Sequence, residues 1–179
     1  MQIDPVKFRH LVEQHQSMVF SIALRVTGEF GVAEEVAQDA FLELHRSGER
    51  LESDDHIKFW LRRVTVHRAT DALRSRSRRP EAAAEEWMDE QHTDAAGAGL
   101  DFGCLSFGIA ARLDELLRTL PEAMRVAVVL RYQEEMLPDE IAAMLGQPVA
   151  TVKSNLQRGL HLLRRKAATT MKEYVRAEI

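Results

Sequence analysis

Apolar residues recur at three- and four-residue steps along most of this chain, the period of a helix with one buried side. Over residues 4–27 the face is Phe8, Leu11, Val12, His15, Val19, Ile22 and Val26. Asp4-Pro5 supplies an N-cap and first helical residue, and Thr27-Gly28 the stop. His15 lies on the apolar side, as a packed core imidazole would. A second helix over 32–46 turns Val32, Val36, Ala40, Phe41 and Leu44 inward. Its other face carries Glu34, Glu35, Gln38, Asp39 and an isolated Leu42. Residues 47–57 read as a polar loop, and a third helix runs from about 56 to 78 with Phe59, Trp60, Val64 and Leu73 in it.

Pro80 ends that pattern, and residues 81–108 have no apolar period. The gap exceeds the roughly 12–15 residues that a loop inside a compact domain usually has, so it reads as a linker. Helical spacing resumes over 109–119 through Ile109, Leu113, Leu116 and Leu117. Leu120-Pro121 punctuates the chain, and the next helix has Met124, Val128 and Tyr132 in register. Residues 138–166 then give a short helix (Ile141, Ala142, Leu145), a stop at Gly146, and a longer helix opening near Pro148. In that last helix Val152, Leu156, Leu160 and Leu163 form the apolar stripe. Lys153, Ser154, Gln157, Arg158, His161, Arg164 and Arg165 fall on the other side. A packed back and a front of long donors is the make-up of a helix-turn-helix whose second helix reads the major groove. The expected fold is all-α: two small helical domains, 1–79 and 109–179, joined by a flexible linker at 80–108. The second domain is a four-helix helix-turn-helix unit.

Charge sharpens this picture. The net charge of −4 is unusual for a DNA-binding protein, but it is an average over unlike blocks. Residues 47–79 carry 9 Lys+Arg against 5 Asp+Glu, and residues 149–179 carry 7 against 2. Between them residues 80–108 carry no base and 7 acids. Within the third helix Arg62, Arg63, Arg68, Arg74, Arg76, Arg78 and Arg79 stand against one acid, Asp71, which points to a nucleic-acid surface.

Other classes recede. The single cysteine, Cys104, allows no intrachain disulfide and no multi-cysteine zinc site. The seven histidines lack the spacing of a zinc protease, and no Gly-rich phosphate loop is present, so neither catalysis nor a metal or other cofactor is expected. No apolar run reaches the roughly 18 residues of a membrane span, and no signal-peptide core follows Met1. A cytoplasmic protein fits. A binding protein remains, and one form of it is a free-standing helix-turn-helix regulator with an N-terminal dimerisation or sensing domain. The arginine-rich helix argues against that form, since a sensing module has no need of a second nucleic-acid surface.

Three segments resemble bacterial extracytoplasmic-function sigma factors. VAEEVAQDAFLEL at 32–44 is similar to that family's polymerase-binding motif, and FWLRRVTVHRATDALRSRSRR at 59–79 to its −10-reading segment. Residues 117–165, with "LPE…R…V.LRY" and "EIA..LG…TVKS.L.R", resemble its −35-reading domain. The resemblance implies that Glu35, Gln38, Asp39 and Leu42 face the polymerase clamp helices. It places Arg62, Arg63, His67, Arg68 and Arg74 at the −10 strand, where the 47–57 loop and His67 hold a flipped base. Lys153, Ser154, Gln157, Arg158 and His161 fall at the −35 duplex. Core RNA polymerase, promoter DNA and an anti-sigma factor are the implied partners. Departures are His67 where many members have Asn, and Asn155 and Gly159-Leu160 where Arg and Ala-Arg are common. Asn155 and Gly159-Leu160 together imply fewer phosphate contacts. Leu137-Pro138 replaces a polar helix start. A linker of 29 residues reaches at most about 95–100 Å, enough for a promoter spacer of about 17 base pairs, roughly 58 Å.

Overall fold

The computed structural model describes residues 4–47, 53–77 and 105–177, with backbone alone at 47, 105–110 and 170–177. Among them are seven helices and no strand. The chain divides into two compact units, with the boundary between Cys104 and Leu105. Most of the acidic stretch read as a linker lies outside the described residues, as does Cys104.

In the first unit α1 (Pro5–Thr27), α2 (Phe30–Ser47) and α3 (Asp54–Ser77) all pack on one another. Asp4 caps α1 by accepting a hydrogen bond from the Lys7 N–H at 3.1 Å, and Pro5 follows at the first helical position. Gly28, at φ 79°, closes α1 by donating its N–H to the Leu24 carbonyl at 2.7 Å, a left-handed conformation that glycine adopts without strain. The buried core comprises Leu11, Val19, Ile22 and Val26 of α1, Val36, Ala40 and Leu44 of α2, and Ile57, Leu61 and Val66 of α3.

The periodic faces of α1 and α2 are the buried ones. In α3 the buried stripe is Ile57, Leu61, Thr65, Val66 and Ala69, while the larger Phe59, Trp60, Val64 and Leu73 are half-buried. Mid-sized side chains fill the centre of a three-helix unit, and Trp60 and Val64 pack around its edge. Thr65 sits there at no cost, because its hydroxyl donates to the Leu61 carbonyl at 2.7 Å. The polar loop expected at 47–57 is shorter than that. Residues 54–57 are the first turn of α3, Ser53 Oγ accepts the His56 N–H at 3.2 Å, and Ile57 is buried. A serine followed by two acids is a helix-start signal, and the segment's polarity masks it.

The second unit comprises α4 (Leu105–Arg118), α5 (Glu122–Tyr132), α6 (Pro138–Leu145) and α7 (Val149–Ala177). Helix α4 starts at Leu105, ahead of the apolar repeat at 109. Helix α5 is the hub, since five consecutive residues, Val126–Leu130, are buried. A helix apolar around its whole girth belongs inside. Tyr132, in register with Met124 and Val128, is nonetheless 59% exposed, because it falls at the end of α5 beyond that buried run. Arg125 joins α5 to the preceding turn: its Nη2 donates to the carbonyls of Arg118 and Leu120 at 3.2 and 3.1 Å. That satisfies oxygens which the end of α4 leaves open ahead of Pro121. Gly146 ends α6 at φ 62°, as its position in the sequence suggests. Pro148 lies one residue before α7 and accepts the Thr151 N–H at 3.0 Å.

Two residues here carry measurable consequences. Gly159 is buried where α7 crosses α5, and a Cβ there would stand 3.1 Å from Val128 Cγ2 and 3.4 Å from Met124 Cβ. Gly159 faces α5, so its missing Cβ bears on the distance between the two helices. Gly159→Val is expected to cost about 1–3 kcal/mol by overpacking, seen as a lower urea midpoint for the second unit. His15 is buried in the first unit, and its Nε2 has no hydrogen-bond partner among the described residues. Burial pushes its imidazole below the ordinary value of 6.5; Asp54 opposes this, while Lys58, Arg62 and His10 reinforce it. A depressed folded-state value means the unfolded chain takes up a proton first as pH falls. This contribution to stability is therefore complete above pH about 6.5 and is lost as pH drops from there towards the folded-state value. His15→Leu is expected to flatten the fall in melting temperature between about pH 6.5 and 5.5; an unchanged slope would show that His15 does not set it.

Candidate nucleic-acid interface

Helix α7 is amphipathic because its buried side, Val152, Leu156 and Gly159, covers α5 and α6. Leu160 and Leu163 of the expected stripe are half-buried. Lys153, Gln157, Arg158 and His161 are exposed on successive turns of the opposite side, and Ser154 beside them is half-buried. Arg164 and Arg165 extend the exposed donors one turn further. An apolar notch lies among Met124 of α5 and Leu162, Gln157, Arg158 and His161 of α7. It follows from Gly159, which lets the two helix backbones approach. The donors project beside apolar surface, as contact with base edges and thymine methyls requires.

In the first unit the outer face of α2 shows Glu34, Glu35, Gln38 and Asp39, with Leu42 53% exposed beside them. Leu42 is thus a solvent-facing leucine among acids and an amide. On α3, Arg63, His67, Arg68 and Arg74 are exposed and Arg62 is half-buried. The helix is less uniformly basic than its own sequence suggests. Arg68 Nη2 donates to Glu43 Oε2 at 2.9 Å, and its Nη1 lies 3.8 Å from Asp39 Oδ2. Arg76 is paired with Glu29. The hydrogen bond from Arg68 to Glu43 outweighs its slight desolvation, and this guanidinium holds its proton more firmly than usual. Over residues 62–77 of α3 the one acid is Asp71, but Glu29, just before α2, and Asp39 and Glu43 of α2 pair with its arginines. Asp39 and Arg68, assigned by resemblance to different surfaces, are neighbours.

Between α2 and α3 lies a concavity of about 320 Å³, lined by Glu43, Trp60, Arg63, His67, Arg68 and Asp71. Sequence reading placed His67 and the arginines at this site but missed Glu43, Trp60 and Asp71. A hydrophobic pattern assigns a half-buried tryptophan to the core, and a carboxylate on α2 has no sequence link to α3. Among the described residues no group of three or more His, Cys, Asp or Glu is placed to hold a metal ion, and no helix is long and apolar enough to cross a membrane.

Comparison with known proteins follows the same division. Residues 11–79 match sigma-70 region 2, and residues 110–163 match sigma-70 region 4. The chain is an extracytoplasmic-function sigma factor. The ECF RNA polymerase sigma-E factor of Escherichia coli is 28% identical over 160 residues, covering 87% of this chain and 83% of that protein. The RNA polymerase sigma-H factor of Pseudomonas aeruginosa is 29% identical over the same shares. Among solved structures, the sigma factor RpoE of Bartonella quintana, in complex with the anti-sigma factor NepR, superposes with a TM-score of 0.68 at 19% identity, over 89% of this chain and 95% of its own. CnrH, in complex with the cytosolic domain of CnrY, gives 0.65 at 20% identity, over 93% and 91%. This sigma factor is a DNA-binding initiation factor rather than an enzyme, and it directs promoter-specific transcription initiation. The match of residues 11–79 to sigma-70 region 2 removes the free-standing regulator with a sensing domain.

Proposed function

We propose that the sigma factor divides promoter recognition between its two units, residues 1–79 and 109–179, with 80–108 as the tether. Lys153, Ser154, Gln157, Arg158 and His161 enter the major groove of the −35 element. Arg62, Arg63, His67, Arg68 and Arg74 lie along the melted −10 strand. Glu35, Gln38, Asp39 and Leu42 dock on core RNA polymerase in the cytoplasm. The observation that carries this reading is the row of exposed donors on α7, backed by the buried Val152–Leu156–Gly159 side. The α2 face supports the docking role, because a half-exposed leucine ringed by acids suits a surface that desolvates one apolar contact inside a charged rim. An anti-sigma protein that covers these surfaces completes the partner set. Support for it is the fold shared with RpoE and CnrH, both solved in complexes.

Arg68 has a narrower role in this scheme than the other arginines. Held by Glu43, it orients the notch more than it neutralises phosphate, and the remaining cations of α3 attract the backbone.

Two experiments test the scheme. Arg158→Ala is expected to weaken binding of the polymerase–sigma complex to its promoter by about 1–3 kcal/mol and to relax preference at one −35 base pair, as loss of a bidentate base contact does. Lys153→Ala is expected to weaken all sequences alike and to lower the salt dependence by about one charge. Wild-type promoter activity in both variants at moderate salt would place the recognition face elsewhere. Leu42→Asp is expected to keep the helical circular dichroism spectrum and melting temperature while abolishing co-elution with core polymerase. Co-elution at the wild-type level would remove Leu42 from the docking surface.

A further inference from the structure

Most donors on the exposed side of α7 have a fixed character: arginine and lysine keep their charge at any physiological pH, and glutamine has none. His161 differs, because an imidazole in water gains or loses its charge near pH 6.5. It stands in the middle of the donor face. Its neighbours one helical turn away are Gln157 and Arg158 on one side and Arg164 and Arg165 on the other, all exposed like His161 itself. The apolar notch beside it presents Met124 from α5 and Leu162 from α7, and no carboxylate is among the residues that line it. Helix α6 lies against the buried Val152–Leu156 side of α7, and the turn after α4 reaches α7 through the Thr119 carbonyl, which Lys166 engages at 3.4 Å. His67 in the first unit is the contrast, since it shares its concavity with the carboxylates of Glu43 and Asp71. A protonated imidazole there has anions beside it whether or not nucleic acid is bound. On α7 the lining residues supply no anion, and a DNA phosphate does.

We propose that His161 links promoter binding to proton uptake: as α7 enters the −35 groove, the imidazole takes a proton from solvent and donates to a backbone phosphate, so that affinity for the duplex rises as pH falls. The proposal rests on the reading that the donor row of α7 contacts the −35 duplex. Its sign follows from linkage. A group that meets an anion only in the complex contributes affinity that is present in full below about pH 6.5 and is lost as pH rises above it. Gln157, Arg158, Arg164 and Arg165 add no such dependence, because none of them changes charge in this range. An imidazolium seated on a phosphate also releases a counterion, so the salt sensitivity of binding changes with pH at this one position.

The test uses core RNA polymerase carrying the full sigma chain and a duplex promoter recovered with that complex from genomic fragments. Affinity is measured from about pH 8 to about pH 5.5 at several salt concentrations, the interval in which an imidazole titrates. Each variant is expressed as a ratio to wild type, which removes pH effects that arise elsewhere in the complex. Over that interval His161→Gln is expected to gain about three- to fivefold less affinity than wild type, the effect of one exposed charge contact. Its log–log salt slope is expected to be shallower than wild type by about 0.9 at the acid end and to coincide with it at the alkaline end. His161→Lys, charged throughout, is expected to bind at about pH 8 nearly as tightly as wild type does at about pH 5.5. Both variants should keep the wild-type melting temperature, since His161 is exposed. Changing the −35 base pairs singly should leave the part of the pH response that depends on His161 in place; its loss with one base pair would assign the proton to a base contact and overturn the phosphate contact. Parallel pH profiles for wild type and His161→Gln overturn the proton link, and an equal weakening of that variant at every pH leaves α7 at the duplex. If neither His161 variant nor Arg158→Ala changes affinity at any pH, α7 does not meet the duplex, and the reading beneath the proposal falls with it.

Discussion

Helix α7 has to meet two demands with one surface. Its back must pack closely enough on α5 to hold the unit together, and its front must keep long polar side chains in solvent and in register. Gly159 is where the two are reconciled: a missing Cβ lets α7 approach Val128 and Met124, leaving Gln157, Arg158 and His161 on the flanks of the crossing. A Cβ at 159 would stand 3.1 Å from Val128 Cγ2, so a larger side chain there presses on α5. Recognition geometry at this end of the protein is therefore set from the buried side. Arg125 and Lys166 serve the same end by binding carbonyls at the α4–α5 junction, the second through Thr119 at 3.4 Å. Cations count as structural here when they are spent on backbone oxygens, and as available for DNA when they are not.

The same distinction reorganises the first unit. Helix α3 reads as a run of arginines, yet Glu29, just before α2, pairs with Arg76, and Asp39 and Glu43 of α2 pair with Arg68. These pairs are exposed, so each adds little stability, of order 0–1 kcal/mol. Their larger effect is on what the surface can bind. A row of arginines attracts any polyanion, whereas here Arg68 and Arg76 are each paired with a carboxylate, which weakens that pull. Asp39 also joins two surfaces that the resemblance treats separately, because a partner drawing on its carboxylate on α2 changes the field at Arg68 on α3.

Much of this was legible in the sequence wherever a local signal existed. The caps Asp4-Pro5 and Gly28, the Gly146 stop, and the buried faces of α1 and α2 follow from nearest-neighbour chemistry. So do the exposed donors of α7. What escaped were facts created by a second helix. Tyr132 keeps the period of α5 yet is exposed, since burial there is decided by which neighbours cover which end. Gly159 faces α5, which nothing in its neighbouring residues reveals. Glu43 and Trp60 belong to the notch only because α2 packs on α3, a relation no spacing encodes. Residues 54–57 differ in kind: the Ser53 cap is a local helix-start signal, and the polar composition around it points the other way.

The net charge of −4 is resolved by range rather than by sum. At physiological salt a charge is felt over roughly 8 Å. An acid block at residues 80–108 therefore does not cancel a donor face on α7 unless the two are brought within that distance. In the proposed division each unit meets nucleic acid with its own field. On α7 that field is cationic and seldom interrupted, as suits a duplex whose phosphates line the groove being read. On α3 it is mixed, which lowers non-specific affinity for duplex and leaves selectivity to stacking and hydrogen bonds. A protein with this division gains little from binding random DNA through its first unit. It gains more once a strand is open and a base is free to leave the stack, so the weak field there ties recognition to melting instead of preceding it.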